Sequence, residues 1–320
     1  NWQSTTFSPE DFKPNDNIGV KLGDPSNGLV DVDLDCKECV AAAPKLLLHT
    51  GRISGRAGKP NSHYWYISPG TKYFQFKDVD GSSLVEIRST GQQTVLPPSQ
   101  HKSGEMMRWE QQREIPKVEP SAIWETVRLV AITALLARHW PAAGSRHQVS
   151  GLIAGFLIAR KLKPLEVEFI IEQAATIAAD DNVPDRVRYA RDTIERHAAG
   201  QPITGGPKLS DELGENIVKL LKSWFGGSLS LVEELNEKHA VIFQQSGDIV
   251  IITEDRDMDN RPFLRFSAPE VIKQLYPQPI RVGQTPRGQG IFKPLGDVWL
   301  KSPSRRFYNG IELAPNGRAT

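Results

Sequence analysis

The run Gly28-Leu29-Val30-Asp31-Val32-Asp33-Leu34 constrains this chain more tightly than any other stretch. Its β-branched and apolar residues predict a strand. Asp33 and Asp35 stand at i and i+2 at its end, so their carboxylates project from one face. Two like charges that close are costly unless a cation sits between them. Hard oxygen ligands suit Mg²⁺ or Mn²⁺. The competing reading is a strand end with solvated acids. Asp31 shares the alternation and competes for the same role. The later pair is preferred because ligand sites in α/β sheets gather where a strand end opens on a loop.

Two further stretches carry chemistry. Gly55-Arg56-Ala57-Gly58-Lys59-Pro60-Asn61-Ser62-His63 runs into Tyr64-Trp65-Tyr66. Its glycines permit close backbone approach, Arg56 and Lys59 are cationic donors, and Ser62 and His63 can hydrogen-bond oxyanions. That mix fits a triphosphate; the competing reading is an exposed basic turn before a strand. In Val85-Glu86-Ile87-Arg88, Glu86 is an acid flanked by apolar residues on a predicted strand. A buried carboxylate needs a partner or a metal. An outward-facing acid on an edge strand is the alternative.

Bulk properties exclude more than they identify. The chain has 320 residues, so two or three domains are expected. Net charge is +1, and any nucleic-acid binding must come from local patches. The only cysteines, Cys36 and Cys39, cannot staple a chain of this size and suit a reducing cytoplasm. With His49 they would make half a zinc site, but a second ligand pair is missing, so core packing is preferred. No apolar run is expected to span a bilayer and no signal peptide is expected. Trp2 and Phe7 look like core residues, and the tail ends in nothing recognisable, so the chain is expected to be a piece of a longer protein with sequence missing at both ends.

Three regions are expected. Residues 1–117 read as α/β, with strands over 17–22, 28–34, 63–67, 73–76, 84–87 and 94–96 and a helix over 36–48. Residues 118–227 read as helical, with Trp124 to Leu136, Glu166 to Ala179, Arg186 to Ala199 and Ser210 to Trp224 as helices, punctuated by Gly205-Gly206 and Gly226-Gly227. Residues 228–320 mix short strands and turns, with a hairpin around Ser246-Gly247-Asp248 and a helix from Pro269 to Leu275. His147, His197 and His239 read as ordinary. The glycine-rich stretch from Gly283 to Gly290 lacks the Gly-Lys-Ser/Thr of a phosphate loop.

Taken together and in order, three motifs resemble the prim-pol branch of the archaeo-eukaryotic primase superfamily, which phages, plasmids and mobile elements encode. They are Gly28 to Cys36, then Gly55-Arg56-x-x-Lys59-Pro60-x-Ser62-His63, then Val85-Glu86-Ile87-Arg88 through Thr94-Val95-x-Pro97-Pro98-Ser99-x-His101-x-Ser103-Gly104. The resemblance covers residues from about Asn17 to Trp109. It implies an α/β (α+β) catalytic domain with a mixed sheet, followed by an all-α helical domain and a small α+β region. It implies a metal-dependent nucleotidyltransferase, with Asp33, Asp35 and Glu86 holding Mg²⁺ or Mn²⁺. His63 would contact the phosphates of the incoming nucleotide, helped by Arg56, Lys59, Ser62 and Arg88. The serine of the second motif often sits two residues before the histidine, where this chain has Asn61.

The implied partners are a single-stranded DNA template, NTPs or dNTPs, and a helicase domain in the full-length protein; no membrane is implied. In the helical region, Gly144 to His147 opening a helix, Asp180-Asp181, Arg186 to Thr193 and Pro202-Ile203-Thr204-Gly205 match landmarks of a domain that assists priming. Arg186, Arg188, Arg191 and Arg196 form either one basic face or a solvated helix side. Residues Leu235 to Val241 and Trp299 to Ile311 resemble a segment leading into a helicase, with Arg281, Arg287, Lys301, Arg305 and Arg306 as candidate DNA contacts. Template-dependent priming and extension is the leading expectation. An extension-only polymerase and an inactive single-stranded DNA-binding module are the alternatives. Three intact, mutually repelling acids argue against the last.

Overall fold

The computed structural model describes residues 5, 7–201, 206–225, 231–232, 235–236, 238–243, 247–258, 261–284, 289–302 and 305–308. The chain divides into two compact units, Asn1–Leu220 and Leu221–Thr320.

The first unit opens with β1 (Gly19–Lys21), β2 (Leu29–Leu34), α1 (Lys37–Leu46), β3 (Arg52–Arg56), β4 (Lys59–Ile67), β5 (Phe74–Lys77), β6 (Ser83–Arg88), β7 (Gln93–Val95) and β8 (Arg108–Gln112). Six of these strands form one sheet in the order β5-β6-β2-β4-β3-β8, and β1 pairs with β7 apart from it. All five pairings in the large sheet are antiparallel, which narrows the expected mixed sheet; the bridge from Ile67 to Lys117 is parallel but isolated. β2 runs through the middle of the sheet. Its Val30, Val32 and Leu34 are fully buried on one face, while the alternate Asp31 and Asp33 are buried on the other. That is the period-2 pattern acting on both faces of a central strand.

Helix α1 starts at Cys36, whose Sγ accepts the amide of Cys39 at 3.4 Å, and buries Cys39, Ala42, Ala43 and Leu46. Both thiols are free and buried, as core packing requires. Phe7, expected in the core, is 54% exposed, and Trp2 lies outside the described residues. Strands β3 and β8 carry no clear sequence signal. β8 is a charged edge strand whose residues are mostly exposed. β3 and β4 form a hairpin where a basic turn was the bland reading. A Cβ on Gly55 would sit 2.8 Å from Asn61 N and Lys59 O, so only glycine allows this close approach.

The helices of the first unit follow as α2 (Pro120–Arg138), α3 (Arg146–Ala159), α4 (Pro164–Ile177), α5 (Val183–Ala198) and α6 (Gly206–Leu213), then α7 (Glu215–Ser223) where the units meet in sequence. Trp124 of α2 packs edge-on against Phe74 of β5, with ring centroids 4.7 Å apart. α2 is long and apolar enough to cross a membrane by length and composition, which corrects the expectation that no such run exists. More than half of it is buried within the protein, as in a core helix. α3 is apolar on nearly every side and buried from Val149 to Ile158, so it shows no amphipathic period. It approaches α5 closely at Gly151, where a Cβ would meet Tyr189 Cε1 at 2.5 Å. The single helix expected from Ser210 to Trp224 is two, α6 and α7, broken at Gly214 with φ of +93°.

The second unit contains β9 (His239–Phe243), β10 (Ile249–Arg256), β11 (Pro262–Ser267), α8 (Pro269–Leu275), β12 (Pro279–Gln284), β13 (Gly290–Pro294), α9 (Leu295–Lys301) and β14 (Phe307–Tyr308). β9 and β10 pair antiparallel in the sheet order β11-β10-β9-β14, as the expected hairpin requires. Val241, Ile251, Ile272, Leu295 and Trp299 form its core with Val232 and Leu235. Trp299 Nε1 donates to Asn236 Oδ1 at 2.8 Å, and the amide of Arg306 donates to the same oxygen at 2.7 Å. Gly205, the run from Pro202, Gly226-Gly227, Ser246, Arg287, Asn309 to Ile311 and the side chain of Arg281 lie outside the described residues.

Candidate active site

Strand register assembles the site. Across the sheet, Gln75, Glu86, Asp33, His63, Ser54 and Trp109 stand in one row, contributed by β5, β6, β2, β4, β3 and β8. Two residues along, Arg88, Asp31 and Trp65 form a second row on the same face. Asp35 follows β2, its amide bonded to Leu84 O at 2.8 Å. One carboxylate oxygen from each of Asp33, Asp35 and Glu86 lies within 4.8 Å of the others. Glu86 is not on an edge, because β6 lies between β5 and β2.

Each acid is held by polar partners. Arg88 Nη2 reaches Asp33 Oδ2 at 2.7 Å, and its Nε reaches Glu86 Oε2 at 2.8 Å. Lys59 Nζ lies 3.4 Å from Asp35 and 3.9 Å from Asp33. Gln75 Nε2 donates to Glu86 Oε1 at 2.6 Å, and Ser83 Oγ donates to Asp35 Oδ2 at 2.5 Å. Burial raises the Asp33 carboxyl above the usual range; Asp31 and Asp35 add to this, while His63 and Arg88 oppose it. Burial disfavours the charged Arg88, but the surrounding carboxylates outweigh it and raise its pKa further.

Asp31 has a different part from its neighbours. It is fully buried, 3.0 Å from His63 Nδ1, and accepts from Thr94 Oγ1 at 2.7 Å. Burial works against a charged His63, yet Asp31 and Asp33 prevail and raise its pKa above the ordinary histidine value. With Nδ1 facing Asp31, the other ring nitrogen is the one left for the cavity that His63 lines.

That cavity has a volume of about 340 Å³. Asp33, Asp35, Arg56, Lys59, His63 and Arg88 line it, so most of the residues singled out from the sequence converge there. Ser62 does not. It is one residue out of phase with His63, fully buried, and its hydroxyl has no hydrogen-bond partner among the described residues. Asn61 adopts φ of +50° and faces a separate cavity beside Leu47 and His49. The cavity wall also contains Thr94, His101, Lys102 and Met107, which sequence reasoning did not select. The signal that was there is position, since Thr94 and His101 belong to the third motif.

Outside the site, the arginines of α5 are engaged. Arg186 spans Asp180, Asp181 and Asp185, Arg188 pairs with Asp185, and Arg191 pairs with Glu168. Arg196 donates to Thr193 Oγ1 at 3.0 Å. A free basic face along α5 is therefore not present among the described residues. His147 is also more than ordinary, because its Nδ1 lies 2.7 Å from Asp185 and its ring 4.1 Å from that of Tyr189.

No curated protein and no solved structure matches the chain. A family model described as bifunctional DNA primase/polymerase, N-terminal, matches residues 1–122, the stretch that contains every strand of this sheet and every residue of the cavity. Residues 1–122 are therefore similar to the Prim-Pol bifunctional DNA primase/polymerase N-terminal domain.

Proposed function

We propose that the protein is a DNA primase-polymerase that transfers nucleotides from NTPs or dNTPs onto a chain copied from single-stranded DNA, in the cytoplasm, during replication of a phage or mobile element. The observation that carries this reading is the cluster of Asp33, Asp35 and Glu86, two of whose members, Asp33 and Asp35, line a cavity together with Arg56, Lys59, His63 and Arg88. Three carboxylates within 4.8 Å of one another form a hard-oxygen donor set, which fits Mg²⁺ or Mn²⁺. When bound, such ions supply Lewis acidity and neutralise charge in an in-line displacement.

The residues of this chain supply binding and position. Asp33, Asp35 and Glu86 would hold the cations. Lys59 and Arg88 now balance the acids and would be donors to a triphosphate. His63, oriented through Nδ1 by Asp31, would offer its second nitrogen to a phosphate oxygen. Gln75 and Ser83 keep Glu86 and Asp35 from rotating out of place. Such preorganisation is where the rate gain in phosphoryl-type transfers arises.

The domain reading gives 1–117 to catalysis, 118–227 to assisting the start of chains and 228–320 to a link toward a helicase in the full-length protein. Support for the last two is the resemblance of their landmarks. A second reading, extension without priming, is favoured by the internal pairing of Arg186, Arg188 and Arg191, which leaves α5 few free cations for a template. The test is extension of a labelled primer on a DNA template with Mn²⁺ and the four dNTPs. Extension that Asp33→Asn abolishes supports the reading. Equal extension by wild type and variant would rule out this site.

A further inference from the structure

We propose that the cavity between the end of α1 and the β3–β8 edge of the large sheet is a second ligand site, which takes the uncharged ring of a nucleobase through hydrogen bonds from Tyr64, Asn61 and Gln111. The site lies on the face of the sheet turned away from Asp33 and Asp35, so it stands whether or not the reaction proposed above is correct.

Register places it. Val32, Tyr64, Ile53 and Gln111 form one row across β2, β4, β3 and β8, alternate to the row that holds Asp33, His63, Ser54 and Trp109. Pro44, Leu47 and Leu48, at the end of α1, complete an apolar wall with Ile53 around a cavity of about 290 Å³. That is near the lower end of the range for small-molecule sites. Asn61 joins the lining through a break in the strand alternation. An extended Asn61 would share the face of His63, but its φ of +50° accompanies a side chain that lines this cavity instead. Asparagine is one of the few residues that adopt this conformation readily.

The polar groups here are uncommitted. Tyr64, Asn61, Gln111 and His49 line the cavity, and none of their side chains has a hydrogen-bond partner among the described residues. Tyr64 is only 5% exposed, and burial raises the pKa of its hydroxyl, which therefore stays protonated. A buried hydroxyl is costly to leave unpaired. Neighbouring groups are already engaged. Tyr66 Oη donates to Leu48 O at 2.6 Å, and Thr50 Oγ1 donates to Trp65 O at 2.7 Å. The partner of the Tyr64 hydroxyl therefore has to enter the cavity.

The lining selects the class of ligand. Neither Lys, Arg, Asp nor Glu is among the residues that line it, so a phosphate or carboxylate would be buried there without a counter-charge. A purely apolar molecule would leave the Tyr64 hydroxyl and two amides unpaired. Each amide presents a donor and an acceptor side by side, and the edge of a nucleobase presents the same pair in complementary order. The apolar wall covers the faces of the ring. A base therefore satisfies both halves of the lining, with its sugar at the exposed rim where His49 lies.

The test is a fluorescence titration of the full chain, without divalent metal, with 2-aminopurine riboside, an uncharged purine nucleoside. Saturable binding is expected, weakened about tenfold in Tyr64→Phe and in Gln111→Ala, each of which loses one hydrogen bond to the ring. Thermal unfolding checks that both variants keep the fold, and Gln111 is exposed on an edge strand, so its replacement spares the core. Asp33→Asn/Asp35→Asn should bind the probe as wild type does. Loss of binding in that variant would place the probe beside the acids and overturn the proposal. Absence of saturable binding, or equal affinity in wild type, Tyr64→Phe and Gln111→Ala, overturns it too. Adenosine should displace the probe. Displacement at far lower concentration by a short deoxyadenylate strand would identify the base as one carried in a strand, and displacement by neither would count against the site.

Discussion

His63 directs its Nδ1 at Asp31, 3.0 Å from Oδ2 of a carboxylate with no solvent exposure. This pairing fixes which ring nitrogen faces the cavity and gives the first of three neighbouring acids a role unlike that of the other two. Asp31→Asn keeps the shape but removes the anion that selects the Nδ1–H form. We expect catalytic efficiency with dNTPs to fall by about 10–100-fold, the range for losing an orienting partner. Steady-state primer extension measures it, and unchanged kcat/KM would contradict the assignment.

Without metal, stability should fall as pH rises through the neutral range. The folded pKa of His63 is raised by Asp31 and Asp33 against the effect of burial. Its contribution is therefore complete below the unfolded histidine value, about 6.5, and is lost as pH climbs through the higher folded value. Asp33 is shifted in the same direction by burial, so it too holds its proton more tightly in the folded state. Urea unfolding in EDTA at a series of pH values should show this decline, and His63→Gln should flatten it.

Divalent cations should stabilise the protein through the three acids. Binding at a hundredfold excess over Kd adds about 2.7 kcal/mol. The melting temperature should rise by several degrees in Mn²⁺, and the rise should vanish in Asp33→Asn/Asp35→Asn. A rise of the same size in that variant would place the cation elsewhere.

Arg138, at the end of α2, bonds Glu38 at 3.1 Å and Asp78 at 2.9 Å, and both carboxylates are buried. The residue therefore ties α1 to the turn between β5 and β6. Arg138→Met leaves Glu38 without its arginine and leaves Asp78 with His139, 2.8 Å away, a loss of about 3 kcal/mol once the partial exposure of Arg138 is considered. The urea midpoint should drop with the slope unchanged.

The acids were legible because alternation on one strand and spacing between motifs carry through to register. Asp33 and Asp35 fall on one face whatever surrounds them, and Glu86 meets Asp33 because β6 pairs with β2. Ser62 was misjudged for the same physical reason, since one step along β4 turns its hydroxyl from the cavity into the core. Gln75, Ser83 and Glu105 carried no local signal; their value lies in partners 11, 48 and 49 residues away. α3 is legible only at its start, where Gly144 to His147 open a helix, because a helix buried on all sides has no period to read. The arginines of α5 looked like a surface charge run because the acids that bind them lie on other segments.

The central claim is tested most directly by synthesis on single-stranded DNA without a primer, in Mn²⁺ with labelled nucleotides, comparing the full chain with Asp33→Asn/Asp35→Asn. The account predicts short products from the wild type and none from the variant. Products of equal yield from both, or none from a wild type that still binds the template, would contradict it.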